Sequence, residues 1–490
     1  MIRDCLLALG ILLSTATQLR LPGLPLGPGE ALLAVWMCMA GIEVMLRRSL
    51  PLTPALWRLL IFWAVFAIAQ CIGLFVGLAI EDYRDNGGAM RTAVAYALVA
   101  MLSFLVAILP GWRVARVAWL VAGMGAAAVT ILAAAGYGLV PVPGLDFWIY
   151  NRFIGWSMNP NQFSLLCTVL VLLSLCLTEV ETRPRMRFLA VICLAAAFLG
   201  GVITRSDSFI LAVLVAGPLF LGNKILKSAF RAQRDTSIAT NLAGLLLISS
   251  PALLAAAAPF GPMILEGMQR TAVETMEKND QAAGRFQLWR EATDIGVSSG
   301  MLGLGPGPHL VGSRQWKLPP PTKGEAHNTI FDLLTQGGLL ACVSFLWIIA
   351  VAFLAALRTG YSALAYLVLS LFVFSNFHLI VRHPIFWFSI AICLAAADAI
   401  SPARTKESRR TTIRAQVTAS GHSYLWCLVS TYPSSGGTLY PYTFISSRMW
   451  GITALRRSVS SRFHFSWRPG SIIAFALLKI SSVKSRLQCW

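Results

Sequence analysis

Long apolar runs are the feature that most constrains what this chain can fold into. They recur from the first residues to about residue 400, and many approach the roughly 20 residues that an α-helix needs to cross a bilayer. Backbone amides in hydrocarbon have no water to bond, so a spanning segment must be a helix or part of a closed barrel. Uninterrupted runs of this length favour helices. The composition agrees, because 57% of the residues are hydrophobic and only 12% are charged, which is too apolar for a water-soluble core of this size.

The apolar runs predict an all-α polytopic membrane domain over residues 1–400, with about twelve transmembrane helices. A secretory signal is an alternative for the first run, but no small-residue cleavage site follows it, so we expect a retained helix. The predicted spans are residues 5–19, 29–46, 55–80, 90–109, 114–140, 162–178, 187–203, 207–221, 240–265, 329–357, 361–379 and 384–400.

The basic residues of the short loops predict the orientation. Every second loop is rich in Lys and Arg, namely those around residues 47–58, 113–116, 183–187 and 224–234. Such loops lie in the cytoplasm, so both termini are expected there and the protein is expected in a bacterial inner membrane. The large loop between helices nine and ten, residues 266–328, is then a periplasmic cap.

Residues 401–490 differ from the rest of the chain. They are Ser-rich and strongly basic, and they carry much of the net charge of +19. One interpretation is a basic cytoplasmic arm that faces anionic lipid. The interpretation that we favour is a disordered cytoplasmic tail, which would play no part in a periplasmic site.

Three polar clusters open helices that are predicted to start outside and run inward. They are Asn159-Pro160-Asn161 before the sixth helix, Arg205-Ser206-Asp207 at the eighth, and His327-Asn328 at the tenth. The free amides and the dipole at a helix start favour negative charge. An anionic head group at the outer interface is the ligand that these clusters predict.

Two arginines are candidates to bind such an anion. Arg205 lies in a short connection at the membrane boundary, where an arginine snorkels or meets an anion; the alternative is an interfacial arginine paired with Asp207. Arg285 lies one helical turn before Trp289 in an amphipathic segment. The alternative there is a surface helix in which Trp289 anchors the interface and Arg285 pairs with Glu291 or lipid phosphate.

His327 is the candidate base. Glu325 precedes it and Asn328 follows it, and an imidazole can remove a proton from a hydroxyl near neutral pH while a carboxylate orients it. A capping or surface histidine is the alternative. His309 is too far along the chain to form a zinc-ligand spacing with His327, and the glycine-rich segment 303–308 predicts a turn, since it has no following Lys of a phosphate-binding loop.

Taken together and in order, these segments resemble the O-antigen ligase and polymerase superfamily of bacterial envelope polysaccharide enzymes. The motifs cover about residues 152–357, and Asp207 departs from them because small or apolar residues are more usual there. The segments that carry the resemblance are residues 152–155, 159–161, 204–206, 285–289, 302–308, 326–332 and 336–340.

The resemblance implies an inverting membrane glycosyltransferase that acts on the periplasmic face. It would move glycan from an undecaprenyl-diphosphate carrier to a hydroxyl of lipid A-core, as a ligase, or of a growing polysaccharide, as a polymerase. It implies no cofactor or metal, and no nucleic acid partner. The catalytic residues would be His327, Arg285 and Arg205, where the arginines hold the diphosphate and His327 activates the acceptor. The expected substrate-binding residues are Arg152, Asn161, Glu325, Asn328 and Trp289.

Two other classes stay open from the residues alone. The number of helices is also typical of a polysaccharide or lipid transporter, or flippase. Such proteins carry charged residues near the middle of the membrane and broken helices in matching halves, and the sequence shows few such charges and no visible repeat. An inactive scaffold is the third possibility.

Overall fold

The computed structural model describes residues 1–20, 27–46, 52–230, 279–312 and 322–399. These residues belong to one compact unit, Met1–Ala419, and a second unit, Ser420–Trp490, lies outside the described residues. The predicted ninth span, parts of the cap loop and the tail 401–490 also fall outside them.

The described residues are helical apart from one hairpin and the connections. A short 3-10 turn, Thr17–Leu19, follows the first helix, and strands β1 (Trp148–Ile149) and β2 (Arg152–Phe153) pair in antiparallel register. The helices are α1 (Ile2–Leu13), α2 (Pro28–Leu46), α3 (Pro54–Ile80), α4 (Asn86–Ala107), α5 (Gly111–Gly136), α6 (Pro160–Val180), α7 (Pro184–Ile203), α8 (Asp207–Phe230), α9 (Asn279–Ser298), α10 (Thr329–Thr359), α11 (Ser362–Ser375) and α12 (Pro384–Ala399).

Eight of the described helices are long and apolar enough to cross a membrane, namely α2 to α8 and α10. The chain is therefore a multi-pass membrane protein. Helices α1, α11 and α12 are shorter, so the total of about twelve spans stays a prediction. The first predicted run, 5–19, is divided in the structure, because the helix ends at Leu13 and the 3-10 turn follows.

Helix α6 lies at the centre of the described bundle, in contact with α5, α7, α8 and α11. Most of its side chains are buried, on every face of the helix. The hydroxyls of Thr168 and Thr178 bond back to carbonyls of the same helix and so need no partner in lipid. Asn159 caps the helix by accepting a hydrogen bond from Asn161 N at 2.8 Å, and Pro160 occupies the first turn.

Helix α10 is broken at Gly338, whose φ of 64° and ψ of −157° are not helical. A glycine accepts this conformation without steric cost. The preceding turn, residues 301–305, docks into the break and supplies hydrogen bonds that the helix lacks there. These are Leu304 N to Thr335 O (2.7 Å), Gly305 N to Gln336 O (2.7 Å) and Leu339 N to Met301 O (2.9 Å).

Helix α3 packs closely against the break in α10 and the turn 301–305, because the residue of α3 at the contact is Gly73. A Cβ atom added at Gly73 would lie 2.3 Å from Gln336 O and 2.7 Å from Gly305 N, so three backbones meet where side chains have no room. The turn that joins α9 to the residues before α10 is thereby fixed to the bundle. This junction positions α9 and the loop 322–328, which carry the candidate site.

Candidate active site

The candidate base His327 lies in a strained loop at the start of α10. Its φ is 53°, in the left-handed region that non-glycine residues seldom adopt. The buried Asp332 carboxylate holds the residues on both sides, since it accepts hydrogen bonds from Ala326 N (2.7 Å) and Asn328 N (3.3 Å). The indole of Trp289 in α9 donates to Ala326 O at 3.1 Å. Neighbouring groups thus fix the backbone conformation of His327.

The other side of the loop is anchored to the connection between α11 and α12. Asn328 caps α10 by accepting from Ile330 N at 2.9 Å, and its amide nitrogen donates to Asn376 O at 3.0 Å. The hydroxyl of Thr329 donates to His378 O at 2.6 Å. Asn328, expected at a substrate, is therefore committed to the fold as a helix cap.

Glu325 faces Arg382. The guanidinium Nη2 donates to Oε2 at 3.0 Å, and a second contact joins Nη1 to Oε1. Burial alone would raise the pKa of Glu325, but Arg382 outweighs burial and holds the pKa below its usual value. The carboxylate expected to orient His327 is instead half of this bidentate ion pair and acts on His327 only through its charge.

The surroundings of His327 keep its imidazole neutral. The side chain of His327 is exposed and lines a cavity. Partial desolvation by neighbouring groups still lowers its pKa; the charge of Glu325 opposes the change, and Arg285 and Arg382 reinforce it. A neutral imidazole can accept a proton, so the group is set up as a base rather than an acid.

The starts of α6 and α8 are in contact. Arg152, on the hairpin, donates to Asn161 Oδ1 at 3.2 Å and to Thr204 O at 3.5 Å. The hydroxyl of Ser206 donates to the same Asn161 oxygen at 2.9 Å. Desolvation lowers the pKa of Arg152, Asp207 opposes this, and Arg285 lowers it further. Arg285 thus lies close enough to influence both Arg152 and His327.

Arg205 and Arg285 both have exposed side chains. Arg205 has a φ of 48°, and among the described residues it forms no salt bridge with Asp207, whose charge acts on Arg152 instead. On α9, Phe286 and Trp289 share a face with ring centroids 5.4 Å apart. Glu291 does not pair with Arg285, because its carboxylate accepts from two backbone amides of residues 311–312.

A cavity of about 520 Å³ opens beside His327, within the size range of about 300–1,000 Å³ that is usual for ligand sites. It is bounded by residues near the starts of α2, α4, α6 and α12 and by the loop 322–327. Neither Arg152 nor Arg285 lines it. The charged and imidazole side chains of its wall include Arg20, Arg91, Lys323, Glu325, His327 and His383.

Sequence reasoning missed Asp332 and Arg382 as site residues. Asp332 follows the Asn328 cap by four residues, a spacing that lets an acidic side chain reach the amides before a helix start. That spacing is a usable signal. Arg382 offers no local signal, since its partner Glu325 is 57 residues away in the chain.

Two kinds of group therefore occur in this region. The guanidinium groups of Arg152 and Arg285 match the oxygens of a phosphate or diphosphate, and the charge of Arg285 lowers the pKa of Arg152. The imidazole of His327, whose pKa Arg285 also lowers, lines a cavity. The arrangement can hold an anionic leaving group and accept a proton from a nucleophile.

The comparison with protein families agrees with this chemistry. A family model described as O-antigen ligase matches residues 188–346. The match runs from within α7 to within α10 and includes Arg205, Arg285 and His327. Among curated proteins, none matches the chain. Over this segment the multi-pass chain is similar to the O-antigen ligase family.

Proposed function

We propose that the protein transfers a glycan from an undecaprenyl-diphosphate carrier to an acceptor hydroxyl at the periplasmic face of the inner membrane. The observation that carries this proposal is the hydrogen bond from Trp289, one helical turn after Arg285 on α9, to the carbonyl of Ala326 beside His327 (3.1 Å). The charge of Arg285 also lowers the pKa of both Arg152 and His327, which supports a diphosphate site near a proton acceptor. Their place at one end of the helical bundle suits a donor whose lipid tail stays in the bilayer.

In the proposed reaction, the acceptor oxygen attacks the anomeric carbon of the donor from the side opposite the diphosphate. A new carbon–oxygen bond forms as the bond from the anomeric carbon to the diphosphate oxygen breaks. The bonding electrons leave with the diphosphate, and the hydroxyl proton passes to His327. Displacement from the opposite side inverts the anomeric configuration.

The guanidinium groups would lower the barrier by stabilising the charge that grows on the departing diphosphate. Arg285 and Arg205 fill this role in the proposal. Asn161 orients Arg152 nearby by accepting a hydrogen bond from its guanidinium group. Trp289, Asn328 and Glu325 contribute by shaping the loop of His327 and the charge around it.

A transfer assay with the purified protein in nanodiscs and a lipid-linked donor tests the proposal. Arg285→Gln and His327→Gln should each reduce kcat by about 100-fold or more, the usual cost of removing a charge stabiliser or a base. The matched control is Arg290→Gln, an exposed arginine on the same helix, and it should retain nearly full activity. Full transfer by both site variants would contradict the proposal.

Within this function we favour ligation onto lipid A-core over polymerisation of repeat units, and both use the same donor site. The size distribution of surface polysaccharide in a deletion strain separates them. Loss of a ligase leaves chains of normal length on the carrier, whereas loss of a polymerase leaves single repeats on the core. A transporter or flippase predicts no transfer in the purified assay.

A further inference from the structure

The cavity beside His327 is separate from the arginines that would hold the diphosphate. Arg152, Arg205 and Arg285 do not line it, whereas His327 does. Gln162, the residue after Asn161, also borders the cavity. His327 therefore borders a space that is large enough for a ligand and that the proposed donor arginines do not line.

The carboxylates of the cavity wall are engaged by the protein. Glu30 accepts from Arg20 at 2.5 Å and from Gly27 N at 3.0 Å. Asp85 caps α4 by accepting from Gly88 N at 2.8 Å, and Glu325 is paired with Arg382. Glu30 and Glu325 are each paired with an arginine, which offsets their repulsion of an anion, and the carboxylate of Asp85 is occupied as a helix cap.

Arg91 differs from the other cations of the wall. Arg20, Lys323 and Arg382 each form a salt bridge with a carboxylate. Arg91 has no carboxylate within 4.0 Å among the described residues, and the only hydrogen bond of its side chain there goes from Nε to Gly87 O at 3.2 Å. The ends of its guanidinium group are thus available to a ligand in the cavity.

His383 supplies a second polar group without a partner. It is 8% exposed, borders the cavity, and has an Nε2 with no hydrogen-bond partner among the described residues. Its ring stacks on that of His378 with centroids 5.5 Å apart. A buried polar atom without a partner is costly, and a ligand oxygen in the cavity would satisfy it.

We propose that this cavity receives the acceptor and selects one with an anionic group, a carboxylate or a phosphate monoester, on or beside the sugar whose hydroxyl reacts. Arg91 would pair with the oxyanion, and His383 Nε2 would donate a hydrogen bond to it. The anion would hold the hydroxyl oxygen toward the anomeric carbon of the donor, and its proton toward His327. This inference rests on the proposed function, since it names the acceptor class for the same transfer.

Photo-crosslinking measures occupancy of the cavity without catalysis. The probes are diazirine-bearing dodecyl glucuronide, dodecyl glucose 6-phosphate and dodecyl glucoside, each added to the full chain in phosphatidylcholine nanodiscs. We expect the two charged probes to label peptides of the cavity wall at least 10-fold more than the glucoside does. Labelling by only one charged probe would identify the oxyanion as a carboxylate or as a phosphate. Equal labelling by the glucoside, or no labelling of the wall, would overturn the proposal.

Three variants connect the labelling to the named side chains. Arg91→Gln and His383→Phe should each reduce labelling by the charged probes about 10-fold, and Arg91→Lys should restore much of the loss by retaining the charge. The matched control is Arg185→Gln, an exposed arginine at the start of α7 that does not line the cavity. Charge-selective labelling that survives both Arg91→Gln and His383→Phe would contradict the assignment of these residues.

A variant of the proposed donor site distinguishes a failure of this inference from a failure of the proposed function. Arg285→Gln should leave acceptor-probe labelling intact while it abolishes transfer. Charge-selective labelling of the wall, with no transfer from a lipid-linked donor to any acceptor, would contradict the proposed function and retain the anionic pocket. Transfer that proceeds equally well to neutral and charged acceptors would contradict the pocket alone.

Discussion

At the scale of single residues, the backbone around His327 is the most constrained part of the site. A positive φ costs a non-glycine residue roughly 1–2 kcal/mol, so other contacts must hold it. Asp332 and Trp289 provide them from two different helices. We infer that Asp332 is a positioning residue, which aims the imidazole without touching substrate.

Replacement of Asp332 tests that role. Asp332→Ala removes both hydrogen bonds to the loop, and we expect kcat to fall by about 10- to 100-fold, as the loss of one or two such bonds implies. The KM for the lipid-linked donor should change little, because the arginines near the diphosphate are untouched. Asp332→Asn keeps one acceptor oxygen and should recover part of kcat. A rise in donor KM without a change in kcat would contradict the positioning role.

The lowered pKa of His327 predicts the pH below which kcat/KM begins to fall. A base works in its deprotonated form, and a lowered pKa keeps that form present to lower pH than for an ordinary histidine near 6.5. We therefore expect kcat/KM to stay level as the pH falls through 6.5 and to decline only below it. In Arg382→Gln, Glu325 loses its partner and a cation leaves the surroundings of His327. The acid limb should then move to higher pH, and an unmoved limb would contradict this electrostatic account.

Metal removal tests whether guanidinium groups suffice at the diphosphate. In the proposed mechanism, the charge of the leaving group is met by Arg285 and Arg205. We expect transfer to continue at an unchanged rate after dialysis against EDTA, measured with the same donor. A loss that added Mg²⁺ or Mn²⁺ reverses would show that a metal shares this role.

At the scale of elements, the broken helix α10 and the turn before it form one unit. The turn donates hydrogen bonds from its backbone amides to the carbonyls of Thr335 and Gln336. Gly73 allows α3 to pack against the same point. The break at Gly338 lies eleven residues after His327. A change here is therefore expected to affect both the stability of the fold and the geometry of the site.

Glycine-to-alanine substitutions compare the stability cost of a side chain at this junction with its cost at an ordinary helix position. In Gly338→Ala, the new Cβ would lie 2.0 Å from Met301 O, at a φ of 64°. Strain and overpacking together should cost about 2–4 kcal/mol, seen as a lower Tm of the purified protein and as reduced transfer. The control Gly123→Ala adds a Cβ with nothing within 4 Å and should leave Tm unchanged or slightly higher. Equal Tm values for both variants would contradict the role of the junction.

At the scale of the whole molecule, the predicted orientation assigns the proposed site and the basic loops to opposite sides of the membrane. The proposed site gathers at the starts of α6, α8 and α10, and the predicted cytoplasmic side holds Arg113 and Arg116, which pair with Asp4. The alternation of basic loops predicts that these ends face opposite compartments.

Cysteine labelling in cells tests the predicted orientation. Arg290→Cys on α9 should react with a membrane-impermeant maleimide once the outer membrane is permeabilised. Arg185→Cys at the start of α7 should react only after the inner membrane is opened. Both positions are exposed, and the unsubstituted protein measures the background from the native cysteines. The reverse pattern would place the site in the cytoplasm.

Much of the helical framework was predictable from the apolar runs. Helices α2, α3 and α7 begin and end within a few residues of the predicted spans, because insertion into lipid depends on the summed transfer free energy of one continuous segment. The division of the first run was not predictable in this way. Ser14 and Thr15 bond back to carbonyls at the end of α1, and short polar side chains of this kind compete with the helix only where the surrounding packing lets them.

The sequence by itself determined that this chain enters a membrane as helices, and its ordered motifs singled out Arg205, Arg285 and His327 as candidates. Only the tertiary structure decided which groups act on one another. Glu325 meets Arg382 across 57 residues of chain, and Tyr96 donates to Gln336 across 240. Such contacts depend on how helices pack side by side, which the local hydropathy of each helix does not encode. For that reason only the fold shows that Asp332 accepts hydrogen bonds from the His327 loop. Only the fold also shows the cavity that Arg91 and His383 line.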